Sequence, residues 1–285
     1  MLVRWSAATR PTRGDDSIWL ASFDAVTQRT NCTSHATRAT VEHAVIEELS
    51  AASNRNVFLG VDFPLGFPAG YAQRVASRGA NFRATWAAIT EAVDDDISNA
   101  DNRFAAASRL NERSGMAPGP FWGCPANETT EALPSAPPNS FSGLAEYRLT
   151  ERRLRAAGRP SFSVWQLHGS SQAGRHALLG IPMISRLVEH PRLAGRVRVW
   201  PFDTGCDALP TRTTKHAIVI GEMRPSLFDL DVPGDQLVDA GIVLAASQHL
   251  AELDRTGRLA NMFAPDLSRD ETIVVEREEG WILGS

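Results

Sequence analysis

The feature that most constrains this chain is an unbroken apolar run from Asn56 to Asp62, with the sequence NVFLGVD. Alternating polar and apolar residues would indicate a strand with one face in water, whereas a continuous run indicates a strand covered on both faces. Helices packed on both sides of a sheet provide such cover. The run therefore predicts a central strand of an α/β protein, and that strand ends in the carboxylate of Asp62.

Segments on either side of the run predict the remaining elements. Residues 2–7 and 17–23 are strand-like and are separated by Pro11, Gly14 and Asp15, a pattern typical of a hairpin. Helical spacing of apolar residues predicts two helices, with Thr40 as the N-cap of the first. The other predicted elements are strands at 28–34, 196–202 and 217–222, helices at 40–52 and 235–253, and a strand-like tail at 272–283.

Residues 69–160 differ in character from the rest of the chain. They contain helical and loop-like sequence, with a Pro-rich stretch at 116–138. Long loops in compact proteins are typically functional lids or disordered segments. We expect one domain over residues 1–285, with residues 69–160 inserted into it. The order of the predicted elements gives an α/β fold with a mixed sheet flanked by helices.

Composition excludes several classes of protein. The net charge of −4 provides no general basic surface for nucleic acid, although local basic patches remain possible. Three scattered cysteines without a C-x-x-C spacing argue against a disulfide framework and a structural zinc site, and they favour a reducing compartment. No apolar stretch approaches the roughly 20 residues that span a bilayer. We therefore expect a soluble, cytoplasmic protein without a membrane partner.

Three acidic residues occupy positions from which they could act together. Asp62 and Glu222 end predicted core strands, and Asp239 lies near the start of the C-terminal helix. Mg²⁺ and Mn²⁺ prefer oxygen ligands, and two such ions can assist phosphodiester hydrolysis. The three residues are candidate catalytic groups and metal ligands. Each also has a plainer interpretation, because Asp62 could form a turn, Asp239 could favour a helix start, and Glu222 could pair with Arg224.

Two further patterns could bind phosphate. Arg148, Arg152 and Arg155 would share one face of a helix, although that face could equally be solvated, with Glu151 paired to Arg155. A glycine-rich segment at 169–174 precedes a helical stretch, where backbone amides can bind anions. That segment lacks the spacing of a P-loop or a dinucleotide fold, so a structural turn is the alternative. The candidate ligands here are His168, Gly169 and Ser170.

Several segments resemble uncharacterised bacterial proteins of the ribonuclease-H-like superfamily that are classed as predicted nucleases. The most specific is VDFPLGFP at 61–68, which contains a D-x-P-L-G-x-P motif, and GEMRPSLF at 221–228 is a second. The other segments that carry the resemblance are residues 5–7, 16–19, 165–167, 169–174, 180–182, 200–202 and 278–284.

The resemblance implies a mixed sheet ordered like that of ribonuclease H, with metal-binding acids on the first strand, the fourth strand and a late strand or helix. Asp62, Glu222 and Asp239 match the later acids. The chain departs from the pattern at the first acid, where similar proteins have Asp before Trp-Ser-Ala and this chain has Arg4. A guanidinium cannot bind a metal, so we expect Arg4 to lie near Asp62 and Glu222 and to replace the cation. Asp15, Asp16 or Asp24 could otherwise compensate.

The sequence leaves three functions open. The first is metal-dependent hydrolysis of a phosphodiester in nucleic acid or in a smaller phosphorylated substrate, with Mg²⁺ or Mn²⁺ as the cofactor. The second is a non-catalytic binding module in which Arg4 locks the acidic residues. The third is an enzyme that acts on a small anionic metabolite through arginines and the glycine-rich segment, without a metal.

Overall fold

The computed structural model describes residues 1–14, 16–76, 79–169, 173–193, 195–208, 210–211, 214–232 and 237–285. Asp15, Ser170 and the predicted helix start at residue 235 lie outside the described residues. All statements below refer to the described part of the chain.

Seven described strands form one mixed sheet in the order β3-β2-β1-β4-β6-β5, with β7 paired to β6. The pairs β1–β2 and β2–β3 are antiparallel, whereas the pairs β1–β4, β4–β6 and β5–β6 are parallel. The strands are β1 (Leu2–Arg4), β2 (Ile18–Asp24), β3 (Arg29–His35), β4 (Val57–Val61), β5 (Val197–Val199), β6 (Ile218–Met223) and β7 (Ile282–Leu283).

The expected α/β class and mixed sheet are confirmed. Strand β4 lies between β1 and β6, as its unbroken apolar sequence predicts. The hairpin of β1 and β2 is also confirmed, with Val3 opposite Leu20. Strand β6 is buried at every residue.

Nine α-helices surround the sheet in the described residues. They are α1 (Arg38–Ala51), α2 (Tyr71–Val75), α3 (Phe82–Ala92), α4 (Arg103–Arg113), α5 (Leu149–Ala156), α6 (Ala173–Glu189), α7 (Val238–Arg255), α8 (Leu259–Met262) and α9 (Arg269–Val274). Short 3₁₀ turns occur at Ala126–Glu128 and Pro225–Leu227, and a π-helical turn occurs at Val275–Glu279.

Side chains on the two faces of the sheet enter different hydrophobic clusters. Val3, Val61 and Ile220 point into a large cluster shared with α1, α3 and α6. Leu2 and Val219 point into a second cluster shared with α7 and the C-terminal segment. This division follows from the period of two along a strand, which sends successive side chains to opposite faces. We call these sides the α6 face and the α7 face.

The segment at 69–160 packs into the cluster on the α6 face. It contributes Trp86, Ile89, Leu110, Phe121 and Leu133 to the same cluster that holds Val61 and Ile220. Its helices α2–α4 therefore extend the core of the sheet on that side, whereas Leu149 of α5 packs against the cluster on the α7 face.

Two local predictions need correction. The strand-like tail predicted at 272–283 is mostly helical, because α9 and the π-helical turn precede the short strand β7. Val275 in the π-helical turn is buried in the cluster on the α7 face. A helical turn can bury a β-branched residue as well as a strand can. The N-cap of α1 is Thr37, and Thr40 closes the capping box at the third helical position.

No helix in the described part of the chain has the length and apolar character needed to cross a bilayer.

Candidate functional site

Arg4 is held between two aspartates at the end of β1. Its Nη1 donates a hydrogen bond to Asp62 Oδ2 at 2.8 Å, and its Nε donates to Asp239 Oδ1 at 3.1 Å. Asp62 also accepts a 2.7 Å bond from the Trp5 backbone N–H, which fixes the position of its carboxylate. The Arg4 side chain remains 35% exposed, whereas that of Asp62 is 6% exposed. We call Arg4, Asp62 and Asp239 the open cluster.

Burial and charge act in opposite directions in the open cluster. Burial disfavours the charged guanidinium, but the two neighbouring carboxylates outweigh it and raise the pKa of Arg4. Burial raises the pKa of Asp62, and Arg4 offsets part of that increase. The guanidinium therefore supplies a permanent positive charge to the two acids.

Glu222 does not join the open cluster, contrary to the expectation that Arg4 would lie near it. Glu222 is opposite Val61 in the pairing of β4 with β6, so both side chains point to the α6 face. Arg4 lies in β1 two residues after Leu2 and shares its α7 face. Asp62 is the residue after Val61, so its side chain points to the opposite face of the sheet. Asp62 and Glu222 therefore lie on opposite faces.

Glu222 instead belongs to a buried cluster around Arg148. The guanidinium donates two 2.7 Å bonds to the carboxylate of Glu222, and its Nε donates to Glu151 at 3.0 Å. Its Nη1 also donates a 3.0 Å bond to the Glu279 carbonyl. The side chain of Arg148 is completely buried. We call Arg148, Glu151, Glu222 and Glu279 the buried cluster.

The buried cluster holds more acids than bases. Burial raises the pKa of Glu222 and of Glu279, and Arg148 opposes both increases. Burial acts against the charge of Arg148, yet Glu151 and Glu222 raise its pKa well above its ordinary value. The arginine therefore remains charged and neutralises carboxylates that would otherwise be costly to bury.

The D-x-P-L-G-x-P motif is explained by its contacts with the buried cluster. The Leu65 backbone N–H donates a 3.2 Å bond to Glu222, and the Phe67 N–H donates a 3.2 Å bond to the Glu278 carbonyl. A Cβ on Gly66 would lie 2.2 Å from the Glu279 carbonyl oxygen, closer than any side chain can approach. Glycine is therefore required at position 66 because two backbones meet there.

Both clusters border one cleft at the carboxyl ends of β1, β4 and β6. The cleft has a volume of about 580 Å³, and its lining includes Arg4, Asp62, Glu151 and Glu222. In open α/β sheets, ligands bind outside the carboxyl ends of the strands. The volume falls within the usual range for small-molecule sites, about 300–1,000 Å³.

The cleft also contains a histidine with a shifted pKa. His176 lines it on the first turns of α6, and Ala173 at the start of that helix is also part of the lining. Burial, followed by the charges of Arg175, Arg4, Arg103 and Arg38, lowers the pKa of His176 to about 3. The imidazole is therefore neutral at physiological pH.

Arg175, which precedes His176 in α6, has an unsatisfied donor. Its Nε is buried and has no hydrogen-bond partner among the residues that the structure describes. Burial and the neighbouring Arg103 lower its pKa to about 10. A buried donor without a partner is costly, and an anion nearby would relieve both that cost and the repulsion between arginines.

The lining of the cleft also contains an aromatic ring and a second arginine. Phe162 is 43% exposed, and the Arg224 guanidinium lies 5.3 Å from the centroid of its ring. Burial lowers the pKa of Arg224, whereas Glu151 and Glu222 oppose that shift. Among the described residues, the Arg224 side chain has no hydrogen-bond partner.

The remaining candidate residues lie outside the cleft. Arg148 precedes α5 and is buried, so it does not form an exposed face with Arg152 and Arg155. Arg155 stacks on Tyr147, with the guanidinium 4.4 Å from the ring centroid. Glu151 pairs with Arg148, so the predicted Glu151–Arg155 pair does not form.

The glycine-rich segment is only partly described. His168 and Gly169 are exposed and are not among the residues that line the cleft. Ser170 lies outside the described residues. The predicted ligand set of His168, Gly169 and Ser170 is therefore not brought together with the carboxylates by the part of the chain that the structure describes.

The residues present do not fit a Mg²⁺ or Mn²⁺ site. Arg4 occupies the space between Asp62 and Asp239, and Glu222 faces the other side of the sheet with both oxygens bonded to Arg148. In the described ranges, no group of three or more His, Cys, Asp or Glu side chains is arranged to hold a metal ion. These side chains therefore do not support a reaction that uses a divalent metal ion.

A larger hollow of about 910 Å³ lies at the opposite edge of the sheet, beside the first residues of β1 and β4. Its charged lining includes Asp24 and Arg55, which already form an ion pair with each other. The smaller cleft contains the neutral imidazole of His176 and the exposed part of Arg4, so we assign the candidate site to it.

Comparison with models of known protein families, with curated proteins and with solved structures finds no match to this chain. The candidate site is therefore defined by its own geometry.

Sequence reasoning missed His176, Arg175, Arg224 and Phe162. His176 and Arg175 stand at the start of α6, directly after the glycine-rich segment, and that position is the one signal that could have identified them. Arg224 was considered only as a partner of Glu222. Phe162 carries no signal in the sequence, because exposure of an aromatic ring is decided by tertiary packing.

Proposed function

We propose that this protein binds a small phosphorylated ligand in the cleft at the carboxyl ends of β1, β4 and β6, without a divalent metal. The observation that carries the proposal is the position of Arg4. Two carboxylates hold its guanidinium at the floor of the cleft, where it remains 35% exposed.

The donors of Arg4 are suited to a phosphate. The Nε of Arg4 donates a hydrogen bond to Asp239, and its Nη1 donates one to Asp62. Its Nη2 makes no hydrogen bond within the described residues. A guanidinium carries five N–H donors in a planar fork that matches phosphate geometry. The two aspartates would orient the fork, and its free edge would accept a phosphate oxygen.

Hydrogen-bond donors near Arg4 also support recognition of an anion. His176 and Ala173, both in the first turns of α6, line the same cleft as Arg4. The neutral imidazole of His176 can donate or accept a hydrogen bond. Arg4 already occupies the space between Asp62 and Asp239, so this arrangement supports phosphate recognition more directly than metal binding.

The test is isothermal titration of the full chain with ribose 5-phosphate in the presence of EDTA. We expect binding by the wild-type protein and a loss of at least about tenfold in affinity for Arg4→Met, because a charged hydrogen bond is worth about 1.5–3 kcal/mol. Arg255→Met is a matched control on α7, since the Arg255 side chain is 70% exposed and pairs only locally with Glu252.

The competing function is the metal-dependent phosphodiester hydrolysis that the sequence resemblance implies. It predicts that wild-type protein binds Mn²⁺ and cleaves nucleic acid in a manner that depends on Asp62. That result, together with no binding of ribose 5-phosphate in EDTA, would reject our proposal. Binding of Mn²⁺ by Arg4→Asp alone would agree with it, because the substitution removes the cation that Asp62 and Asp239 now hold.

A further inference from the structure

We propose that the ligand of this cleft carries a planar aromatic ring as well as its phosphate, and that the ring stacks at Phe162 and Arg224. The inference rests on the proposed function and adds the chemical class of the ligand. It is drawn from two other residues that line the cleft, Phe162 and Arg224, which phosphate recognition alone does not explain.

Phe162 is an aromatic side chain left open on the wall of a concave site. It follows α5 and is 43% exposed, whereas most large apolar side chains of the core are buried. Phe228, Leu230 and Met223 continue the same wall of the cleft. A scattered apolar residue on a convex surface is ordinary, but an exposed ring among apolar neighbours in a cleft is typical of a ligand contact.

Arg224 gives this wall a planar cation. Its guanidinium lies 5.3 Å from the ring centroid of Phe162, within the range of a cation–π contact. The nearby acids Glu151 and Glu222 are already bonded to Arg148. Arg224 therefore has no competing ion pair among the described residues, and its flat face can stack on a second ring.

Arg4 and the stacking residues line one cleft from different sides of the sheet. Arg4 belongs to the α7 face, whereas Arg224 lies near Glu151 and Glu222 of the buried cluster. A single cleft of about 580 Å³ includes both in its lining. A ligand that contacts both needs an anionic group for Arg4 and a flat ring for Phe162 and Arg224, as in a mononucleotide or an aryl phosphate.

The test compares ligands that differ in one part. AMP and phenyl phosphate carry both a ring and a phosphate, ribose 5-phosphate lacks the ring, and adenosine lacks the phosphate. We expect AMP or phenyl phosphate to bind wild-type protein about tenfold more tightly than ribose 5-phosphate, which is the scale of stacking one ring on an aromatic side chain. The ranking of AMP against phenyl phosphate distinguishes a nucleobase from a simple aryl group.

Variants of the stacking wall complete the test. Phe162→Leu keeps an apolar side chain and removes the ring, and Arg224→Lys keeps the charge and removes the plane. Both should weaken the binding of AMP or phenyl phosphate and leave ribose 5-phosphate unchanged, whereas Arg4→Met should weaken all three phosphates. Ile273→Leu is the matched control, because Ile273 is an exposed apolar residue outside the cleft, at 52% exposure.

Two results would overturn the inference. If ribose 5-phosphate binds as tightly as AMP and phenyl phosphate, and Phe162→Leu changes neither, the ring has no role while the proposed phosphate site stands. If none of the phosphates binds, the proposed function fails and the inference fails with it.

Discussion

The open cluster and the buried cluster are built from the same chemistry and differ in what surrounds them. Each places one arginine among carboxylates at the carboxyl edge of the sheet. The Arg4 side chain is 35% exposed, whereas that of Arg148 is completely buried. Arg148 is saturated by Glu151, Glu222 and the Glu279 carbonyl, and Arg4 retains donors that face the cleft.

The difference shows how one kind of ion pair can serve structure or recognition. Removing a partner from a buried pair leaves an uncompensated charge, so the buried cluster ties β6, α5 and the C-terminal segment together. In the open cluster Asp62 is buried but the Arg4 guanidinium is 35% exposed, so Arg4 can exchange contacts with a ligand. The following changes test that contrast, from the largest expected effect to the smallest.

Arg148→Met should have the largest effect on stability. It leaves the buried carboxylates of Glu151 and Glu222 without their cation, and breaking a buried ion pair costs about 3–5 kcal/mol. Urea unfolding measures the loss. Adding Glu151→Gln and Glu222→Gln to Arg148→Met should recover much of it, and a loss below about 1 kcal/mol for the single variant would contradict the role of the buried cluster.

Gly66→Ala should lower the stability of the protein by displacing the backbone of Glu279 in the buried cluster. The new Cβ would meet the Glu279 carbonyl carbon and oxygen at 2.4 and 2.2 Å, so the chain must shift. Overpacking of this kind costs about 1–3 kcal/mol. Gly221→Ala is a control, since Gly221 also lacks a positive φ and its new Cβ would meet only side-chain atoms, the nearest being Phe58 Cε2 at 3.0 Å. Urea unfolding that gives both variants the same loss would show that backbone contact does not explain Gly66.

His176→Gln should change how stability depends on pH. The folded protein holds His176 neutral down to a pKa of about 3, whereas the unfolded chain protonates near 6.5. Between those values the unfolded state binds more protons, so stability is lost as pH falls below 6.5, with a slope of up to about 1.4 kcal/mol per pH unit. Urea unfolding at pH 7, 6 and 5 should give a shallower slope for His176→Gln. Equal slopes would show that burial and the neighbouring arginines do not hold the imidazole neutral.

Arg4→Met should have a smaller effect on stability than Arg148→Met, about 1–3 kcal/mol. The substitution leaves the buried carboxylate of Asp62 without its cation, but Asp62 keeps its bond from the Trp5 N–H and the site opens onto the cleft. The same variant loses affinity for ribose 5-phosphate under our proposal. A stability loss as large as that of Arg148→Met would remove the distinction between the two clusters.

Much of the sheet could be predicted from local sequence, because its signals are short-range. The run at 56–62 identified β4 as a central strand, and the Pro, Gly and Asp residues after β1 identified the hairpin. The tail at 272–283 was misread, since its β-branched and apolar residues suit a buried helical turn as well as a strand. Local preferences of short segments are weak enough for tertiary packing to override them.

The same reasoning identified only part of the candidate site. Asp62, Asp239 and Arg4 were identified and do come together. Glu222 was placed with them because it also ends a core strand, but the register that sets Val61 opposite Glu222 turns it to the other face. A shift of one residue in register exchanges the two faces of a strand, and nothing in the separate segments specifies that shift.

The sequence by itself determined that this chain builds a mixed α/β sheet with acids and arginines at the ends of its core strands, because apolar continuity and turn residues act locally. Only the tertiary structure decided which arginine meets which acid, and which of them stays in contact with water. Those outcomes depend on strand register and on helices that are distant in sequence, so burial and charge pairing were settled by packing across the whole chain.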